Sequence, residues 1–414
     1  MFLIFGKGKS GKAAAKLLKS LNLPFELVDD STPNWENLLK NATTVVVSPG
    51  IPPTHKVFEL SKKLKKELIG ETELAYRFWK GEVIAITGTD GKSTTTRAVF
   101  KILSAHLSGV YEGGNIGRPF SEIVAQTRRG IAVLEVSSFQ GYTLKTFKPK
   151  VGIFLNFSED HLNWHSDLED YLRGKYSIFK NQTPDDYAFL NETQREVINT
   201  PTPARVFTFG KDTSDVAIKN GWLTFGGEKL LETSKVKLKG KHNLLNLGIA
   251  AAVGLLYGVP LKVIREVVYN FKGLPYRLQY LGRFKGIEVY NDSKSTTPNA
   301  LRAALESFDK PVILILGGKD KGADFGILEP LFRKKVKLAI AYGENGEKIY
   351  SRLRRACNFV KVETLEEAVR IASRRAGEGD TLLFSPASAS FDQFKSYEER
   401  GEVFNRLVAK WFKL

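Results

Sequence analysis

Residues 88–94, with the sequence GTDGKST, have the composition of a phosphate-binding loop. They follow an apolar run at 83–87 that predicts a strand, and they precede a predicted helix that ends near residue 107. Glycines in such a loop let backbone N–H groups surround phosphate oxygens, while Lys92 adds positive charge and the Ser93 hydroxyl can reach Mg²⁺. Ile86 stands where the standard motif has its first glycine, so a glycine turn without a ligand stays open as the alternative.

A second glycine pattern, Gly6-x-Gly8-x-x-Gly11, follows the first apolar run of the chain. With Asp29 or Asp30 about twenty residues further on, it has the form of a dinucleotide-binding turn. The same glycines could hold only a diphosphate, or they could form a turn that has no ligand. We therefore predict a phosphate-related role for this turn and leave its ligand open.

Three short segments in the middle of the chain carry residues that bind cations: Glu135 in LEVSSFQ, Asp160 and His161 in SEDHLN, and Lys175 in RGKY. A carboxylate and an imidazole are plausible ligands for hard or borderline cations. Taken one at a time, each is as readily explained as a structural residue. Two further segments, 241–246 and 291–294, are dense in hydrogen-bonding side chains at predicted domain starts, where clefts form, although solvated loops have the same composition.

Strand-like and helix-like segments alternate along most of the chain, which predicts an α/β fold with mostly parallel sheets. Residues 297–308 and 244–259 predict helices, the second of them buried, and 205–240 predicts short antiparallel strands. We expect three domains, at 1–80, 81–274 and 275–414, with the phosphate loop in the second. The other expected strands are 25–28, 44–47, 132–136, 151–155, 284–290, 312–316, 338–342 and 381–384.

The composition is that of a folded protein, with 414 residues of which 42% are hydrophobic and 26% charged. A single cysteine, Cys357, excludes an intramolecular disulfide and a cysteine metal cluster, so we expect a reducing compartment and a cytoplasmic protein. The first apolar residues are too few for a signal peptide, and the stretch 244–259 is too short to span a bilayer. The formal net charge of +17 favours anionic ligands, whether phosphorylated small molecules, lipid or nucleic acid.

Eight motifs in order along the chain resemble those of the Mur ligase family: GTDGKST, LEVSSFQ, SEDHLN, GKHNLLN, LPYRLQ, NDSKSTTP, LILGGKDKGADF and SPASASFDQFKSYEERG. The resemblance covers essentially the whole chain. The last motif and the GKGKSG turn near the start of the chain are most similar to the branch of the family that adds D-glutamate to UDP-N-acetylmuramoyl-L-alanine. The Asp-Asn-Pro-Arg motif expected of the branches that add lysine or diaminopimelate is absent from the sequence.

This resemblance implies an ATP-dependent, amide-bond-forming ligase of peptidoglycan precursor synthesis. Its three domains would be Rossmann-like, P-loop and Rossmann-like. The first would bind UDP-sugar, the second ATP, and the third the amino acid and part of the nucleotide. ATP would phosphorylate the substrate carboxylate, and the amine of D-glutamate would displace phosphate through a tetrahedral intermediate. The implied cofactors are ATP and Mg²⁺, with two metal ions and a carbamylated lysine at Lys175. The implied partners are UDP-N-acetylmuramoyl-L-alanine, D-glutamate and ATP, and we expect a monomer that binds neither nucleic acid nor membrane.

The resemblance also implies a role for individual residues. Lys92 would hold the transferred phosphate, Arg277 would lie near the terminal phosphate, and Asp292 would lie near the ribose. The catalytic set is Lys92, Glu135, His161, Lys175 and Lys294, and the metal ligands are Ser93, Glu135, His161 and carbamylated Lys175. The ATP-binding set is Gly88, Thr89, Asp90, Gly91, Lys92, Ser93, Thr94, Asn243, Asn246, Arg277 and Asp292. The UDP-sugar-binding set is Lys9, Ser10, Asp29, Asp30, Ser48, Asn115, Ser137 and Gln140, and the amino-acid-binding set is Thr296, Lys321, Ser390, Phe391 and Tyr397.

Asp90 and Tyr397 depart from the family's pattern, in which Asn and Phe are usual. Asp90 adds negative charge beside the triphosphate, and Tyr397 adds a hydroxyl near the amino acid, so local hydrogen bonding and acceptor preference stay open. Two other functions remain as alternatives. A folylpolyglutamate synthase also joins glutamate to a carboxylate, although the N-terminal glycine turn argues against it. A basic P-loop protein that binds nucleic acid would explain the charge, although the basic residues are scattered along the chain.

Overall fold

A computed structural model describes residues 1–159 and 164–412 of the chain. Strands and helices alternate along the chain, and the strands form three separate sheets of four, nine and six strands. This confirms the predicted α/β class. The chain forms two compact units, one of residues 1–234 with 245–269 and the other of residues 235–244 with 270–414. The predicted domain boundary near residue 80 falls inside the first unit and stays a prediction.

The first sheet is parallel throughout, with the strand order β2-β1-β3-β4. Its strands and the helices between them are β1 (Phe2–Phe5), α1 (Lys9–Ser20), β2 (Phe25–Val28), α2 (Trp35–Asn41), β3 (Thr44–Val47), α3 (Lys56–Lys63), β4 (Glu67–Gly70) and α4 (Glu71–Phe78). All four residues of β3 are buried because helices cover both faces of a parallel sheet.

Two of the three glycines in the first glycine turn are required by the backbone. Gly6 has a φ of +111°, which L side chains rarely adopt, and a Cβ at Gly11 would lie 1.8 Å from the carbonyl oxygen of Gly6. Gly8 has open space around it. The turn therefore lets α1 pack directly against the end of β1, which is the close approach that the sequence pattern predicts.

The second sheet has nine strands in the order β13-β12-β11-β10-β9-β8-β5-β7-β6. From β6 to β11 neighbouring strands are parallel, and β11, β12 and β13 form an antiparallel ribbon, as predicted within 205–240. The elements are β5 (Glu82–Thr87), α5 (Lys92–Ser104), β6 (Val110–Gly114), α6 (Phe120–Gln126), β7 (Ile131–Glu135), α7 (Ser138–Gly141), β8 (Val151–Phe154), α8 (Leu168–Tyr176), β9 (Tyr187–Asn191), α9 (Arg195–Ile198), β10 (Arg205–Phe209), β11 (Val216–Lys219), β12 (Trp222–Phe225) and β13 (Glu228–Glu232).

A buried carboxylate on α4 ties the first sheet to the second. The Glu73 side chain is fully buried and accepts hydrogen bonds from the backbone N–H groups of Lys145, Thr146 and Phe147 at 3.0–3.1 Å. It also accepts bonds from the Thr146 hydroxyl at 2.7 Å and from Arg77 Nε at 3.0 Å. Burial works to raise the pKa of Glu73, but these hydrogen bonds outweigh it and hold the pKa below its usual value.

Two helices distant in sequence cover α5, the helix that follows the phosphate loop. They are α10 (Lys241–Leu256) and α11 (Leu261–Tyr269), and α10 confirms the predicted buried helix. A Cβ at Gly254 would lie 2.6 Å from a methyl carbon of Ile102 and 3.2 Å from Ile264, so the helices pack closely at this point. In the described part of the chain, no helix has the length and apolar character required to cross a membrane.

The third sheet has the order β14-β15-β19-β16-β17-β18 and is parallel except for β14. The predicted single strand at 284–290 is wrong: a hairpin turns at Lys285 and Gly286, both with positive φ, as a two-residue hairpin turn requires. The elements are β14 (Gln279–Phe284), β15 (Ile287–Asn291), α12 (Pro298–Glu306), β16 (Val312–Gly317), α13 (Glu329–Lys335), β17 (Val336–Tyr342), α14 (Gly346–Leu353), β18 (Asn358–Lys361), α15 (Leu365–Arg375), β19 (Thr381–Phe384) and α16 (Tyr397–Trp411).

Candidate active site

The phosphate loop connects β5 to α5 and needs glycine at two positions. Gly88 has a φ of +146° and Gly91 a φ of +79°. A Cβ at Gly88 would lie 3.1 Å from Leu155, and one at Gly91 would lie 2.7 Å from the Asn246 side-chain nitrogen. The loop therefore fits closely between the end of β8 and α10, and it ends at the start of α5, a position that favours an anion because it is the N-terminus of a helix. Thr94 lies in the first turn of that helix.

Asn156 holds the loop in shape, although the sequence analysis did not single it out. Its side-chain oxygen accepts hydrogen bonds from the backbone N–H groups of Thr89 at 3.1 Å and Asp90 at 2.8 Å. Its side-chain nitrogen donates to the Asp90 carbonyl at 3.1 Å. The only signal in the sequence is that Asn156 follows the buried run of β8, at the edge where neighbouring parallel strands end.

Lys92, Ser93 and Glu135 meet at the ends of two adjacent parallel strands. Lys92 Nζ donates to the carbonyls of Gly88 at 2.9 Å and Thr89 at 2.8 Å. Ser93 Oγ lies 2.6 Å from Glu135 Oε2. The Glu135 side chain is buried, and its other oxygen accepts a 2.8 Å bond from Asn115. A hydroxyl and a carboxylate placed together beside a phosphate loop are oxygen donors of the kind that Mg²⁺ prefers.

Lys175 reaches the same loop from α8. It is 1% exposed, and its Nζ donates a 2.6 Å hydrogen bond to the Gly88 carbonyl and lies 4.4 Å from the ring centre of Tyr171. The predicted partners Asp160 and His161 lie outside the described residues. Among residues 1–159 and 164–412, no group of three His, Cys, Asp or Glu side chains is placed to hold a metal ion.

A buried histidine that the sequence analysis missed links the helices that carry Gln140 and Lys175. His165 Nδ1 lies 2.8 Å from a carboxylate oxygen of Asp170, and its Nε2 lies 2.9 Å from the Ser138 hydroxyl. Burial lowers the pKa of His165, although Asp170 acts in the opposite direction. The Asp170 carboxylate accepts the hydrogen bond from Nδ1, which leaves Nε2 to accept the one from Ser138.

Some of the predicted UDP-sugar-binding residues lie next to Ser138, the hydrogen-bond partner of His165. Ser137 and Gln140 form a capping box at the start of α7, just after β7 ends, and the Gln140 amide donates to Thr72 at 3.1 Å. Lys9, at the start of α1, donates to the carbonyl of Gly117 in the loop after β6. The first glycine turn is thereby connected to the loop that carries Asn115.

The other predicted UDP-sugar residues lie on the first sheet. The Ser48 hydroxyl donates to the Gly6 carbonyl at 3.2 Å, and Ser10 is half-buried on the first turn of α1. Hydrogen bonds from Ser31 and from the Lys7 ammonium lower the pKa of Asp29 to about 2. Asp30 lies 3.0 Å from the Nε2 of His55. These side chains are at the carboxyl ends of β1, β2 and β3, where open parallel sheets bind ligands.

Asp292, which is predicted to lie near the ribose, is buried in the second unit. Asp292 accepts bonds from the Leu278 N–H at 3.0 Å and the Ser385 hydroxyl at 2.8 Å. Burial raises the pKa of Asp292 to about 7. Arg277, half-buried, lowers it by a smaller amount. Asn243, on the first turn of α10, donates its side-chain N–H to the Lys239 carbonyl at 2.7 Å.

The predicted catalytic Lys294 and the predicted amino-acid-binding residues include two lysine–aromatic pairs in this unit. Lys294 Nζ lies 5.1 Å from the ring centre of Tyr397 and 3.5 Å from its hydroxyl. Lys321 Nζ lies 5.7 Å from the ring centre of Phe391, which is 64% exposed. Ser390, which precedes Phe391 in the sequence, is buried. Thr296 is exposed, with no side-chain hydrogen bond to the other five residues within the described part of the chain.

Arg400 on α16 is a fully buried arginine that the sequence analysis also missed. Its Nε donates to the Ser293 hydroxyl at 3.1 Å, its Nη2 to the Ser293 carbonyl at 2.7 Å, and its Nη1 to the Ser388 carbonyl at 2.9 Å. Burial lowers the pKa of Arg400 from its usual value. Its only signal in the sequence is its position three residues after Tyr397 in the final motif.

Comparison with known proteins gives the family. The family model for the Mur ligase middle domain matches residues 86–254, and the model described as the Mur ligase, glutamate ligase domain matches residues 276–388. The UDP-N-acetylmuramoylalanine–D-glutamate ligase of Aquifex aeolicus is 51% identical over 414 residues, which is 99% of each chain. The chain belongs to the Mur ligase family. The enzyme of the same name from Hydrogenobaculum is 47% identical to this Mur ligase, again over 99% of each chain.

Solved structures support the same fold for this Mur ligase. MurF ligase of Thermotoga maritima, in complex with ADP, superposes with a TM-score of 0.63 at 17% identity and covers 89% of this chain and 90% of its own. UDP-N-acetylmuramate-alanine ligase MurC of the same organism gives 0.62 at 19% identity over 99% of both chains. These two structures show the fold, and the family models and full-length relatives confirm the family predicted from the eight motifs.

Proposed function

We propose that this Mur ligase joins D-glutamate to UDP-N-acetylmuramoyl-L-alanine, with ATP converted to ADP and phosphate, as a step of peptidoglycan precursor synthesis. The two relatives that match it over 99% of their length bear the name of this activity. The observation that carries the proposal is the meeting of Lys92, Ser93 and Glu135 at one phosphate loop, with Lys175 donating to the same loop. Domains at 1–80, 81–274 and 275–414, a monomer and a cytoplasmic location are part of this proposal.

The chemistry explains why a phosphate loop is needed. A carboxylate is a poor electrophile because its leaving group would be oxide. One carboxylate oxygen of the UDP-sugar substrate attacks the terminal phosphorus of ATP, ADP leaves, and an acyl phosphate forms. Lys92 and the N–H groups at the start of α5 hold the transferred phosphoryl group and stabilise its charge.

The second step uses the acyl phosphate as an activated acyl group. The neutral amine of D-glutamate attacks the acyl carbon, and the tetrahedral intermediate expels phosphate as the amine loses a proton. In this proposal Lys294, Thr296, Lys321, Ser390, Phe391 and Tyr397 bind and orient the amino acid. A cation and hydroxyl donors are the groups that best hold its carboxylates.

The oxygen atoms of Ser93 and Glu135 fit one Mg²⁺, and we propose that His161 and carbamylated Lys175 hold a second. Bound Mg²⁺ would neutralise charge on the phosphate and acyl oxygens. In the unmodified lysine described here, Nζ donates to the Gly88 carbonyl. Carbamylation by CO₂ would remove the positive charge, leave one N–H on Nζ and add a carboxylate-like group at the same loop.

A substrate panel tests the proposal. Phosphate release is measured with ATP, UDP-N-acetylmuramoyl-L-alanine and each of a series of D- and L-amino acids, with controls that omit one substrate at a time. We expect turnover with D-glutamate to be much faster than turnover with L-glutamate. Turnover with folate and L-glutamate instead would support the folylpolyglutamate synthase alternative. Retention of RNA or DNA on filters at physiological salt, without ligase activity, would support the nucleic-acid alternative.

A further inference from the structure

We infer that Arg400 is a positioning residue for the amino acid that accepts the acyl group. The inference rests on the proposed function, which places the acceptor in the second unit. Arg400 is fully buried, and its guanidinium donates to the Ser293 hydroxyl and to two backbone carbonyls, so it is not exposed to a substrate. Its effect on the reaction must therefore pass through the loops that it holds.

Three loops that carry proposed amino-acid-binding residues meet at the Arg400 guanidinium. Ser293, which receives two of its hydrogen bonds, precedes Lys294 directly. Ser388, which receives the third, lies two residues before Ser390. Gly318 approaches from the loop that leads to Lys321, since a Cβ at this glycine would lie 3.2 Å from Arg400 Nη1.

The same loops are joined back to the helix that carries Arg400. The Ser293 hydroxyl donates to the Tyr397 carbonyl at 2.8 Å while it accepts from Arg400 Nε. Asn345 links the remaining two loops, because its oxygen accepts from the Gly318 N–H at 3.0 Å and its nitrogen lies 2.7 Å from the Ser388 hydroxyl. Each of the three loops with a proposed amino-acid-binding residue is thus fixed relative to the Arg400 side chain.

Stability alone does not explain an arginine at this position. In the part of the chain that the structure describes, no carboxylate forms an ion pair with the guanidinium, and Asp392 attracts it only from a greater distance. A buried charge that is compensated only in this way is costly. An apolar side chain of similar volume would avoid that cost. Only a planar guanidinium presents several N–H donors at fixed angles to separate acceptors, which is what holding three loops in one geometry requires.

The test compares Arg400→Met, Arg400→Lys and Ser293→Ala with the parent enzyme. Arg406→Met is the matched control, because Arg406 is an exposed arginine on the same helix. Each variant is assayed for the KM of D-glutamate, for kcat, and for the ratio of D- to L-glutamate turnover. Acyl-phosphate formation is measured separately, without amino acid, by borohydride trapping. Circular dichroism confirms that each variant is folded.

We expect Arg400→Met to raise the KM for D-glutamate at least ~10-fold and to lower D/L discrimination, while trapping stays within ~3-fold of the parent. Arg400→Lys should recover part of the loss, and Ser293→Ala, which removes one hydrogen bond to Arg400, should raise KM by ~3-fold or more. Arg406→Met should behave as the parent.

An unchanged D-glutamate KM in folded Arg400→Met overturns the inference, as does a parallel loss of trapping and D-glutamate affinity. If both Arg400 variants are unfolded, Ser293→Ala decides: an unchanged KM overturns the inference and a raised one supports it. A parent enzyme that fails to turn over D-glutamate refutes the proposed function instead, so the two failures are distinguishable.

Discussion

Glu73→Gln should destabilise the first unit strongly, because the native carboxylate accepts five hydrogen bonds in a buried site. Oε2 accepts from the N–H groups of Lys145 and Phe147, and Oε1 accepts from both donors of Thr146 and from Arg77. Glutamine must place an NH₂ group at one of the two positions. At Oε2, the less costly choice, two backbone N–H groups then face a donor and lose their acceptor.

The magnitude follows from these unpaired donors. Each buried donor left without a partner costs about 1–3 kcal/mol, and the loss of charge weakens the remaining bonds. We therefore expect a loss of about 3–5 kcal/mol in the free energy of unfolding. Amide hydrogen exchange at Lys145 and Phe147 should accelerate by at least ~10²-fold, because these two N–H groups are the ones that lose their acceptor.

Urea unfolding and hydrogen exchange measure the effect, with the exposed Glu59 changed to Gln as the control. The pH dependence has a defined sign. Because hydrogen bonds hold the pKa of Glu73 below its value in the unfolded chain, the parent's advantage over the variant is full above about pH 4.5 and shrinks as the pH falls further. A difference below about 1 kcal/mol at pH 7, or one that does not shrink in acid, would refute the reasoning.

Three further predictions concern the site. Lys92→Ala should lower kcat by ~10²-fold or more with folding intact, because the ammonium stabilises the transferred phosphoryl group, and turnover within a few-fold of the parent would remove Lys92 from the site. Lys175→Ala should lose activity and regain part of it when a small carboxylate is added, while Lys175→Arg should not help; a silent alanine variant counts against the carbamate. Because burial raises the pKa of Asp292 to about 7, the folded chain keeps that proton and the parent's unfolding free energy falls as pH rises from about 4 to 7. Asp292→Asn should therefore gain about 3 kcal/mol relative to the parent between pH 5 and pH 8, measured by urea unfolding, and equal pH dependence of the two proteins would contradict this.

The elements that the sequence predicts well are those with a strong local signal. The strands at 25–28, 44–47 and 381–384 begin and end as predicted because each is a short apolar run bounded by turn residues. The hairpin at 285–286 was missed because both turn residues have positive φ. Gly286 favours that conformation, but Lys285 gives no sign of it in the sequence. Helix α7 has only four residues, too few for any periodicity.

The site residues likewise separate into those with a local signal in the sequence and those without one. The phosphate loop is visible because its residues are consecutive, and Glu135 is found only through its motif. Asn156, His165 and Arg400 were missed because their roles depend on partners far away in sequence: Asn156 contacts Thr89, and Arg400 contacts Ser293. A lone Asn, His or Arg carries no local pattern that separates such a role from an exposed side chain.

The late position of the helices that cover α5 has a consequence for how the protein is made. The Ile102 side chain on α5 is fully buried, and Gly254 and Ile264 are among the residues packed around it. Because α10 begins only at Lys241, a ribosome adding 5–20 residues per second needs roughly 10–30 s after completing α5 before it has made these helices. During that interval the part of α5 that α10 and α11 cover in the folded protein has no native partner on the nascent chain. The native packing around α5 can therefore be completed only after residue 269 has been synthesised.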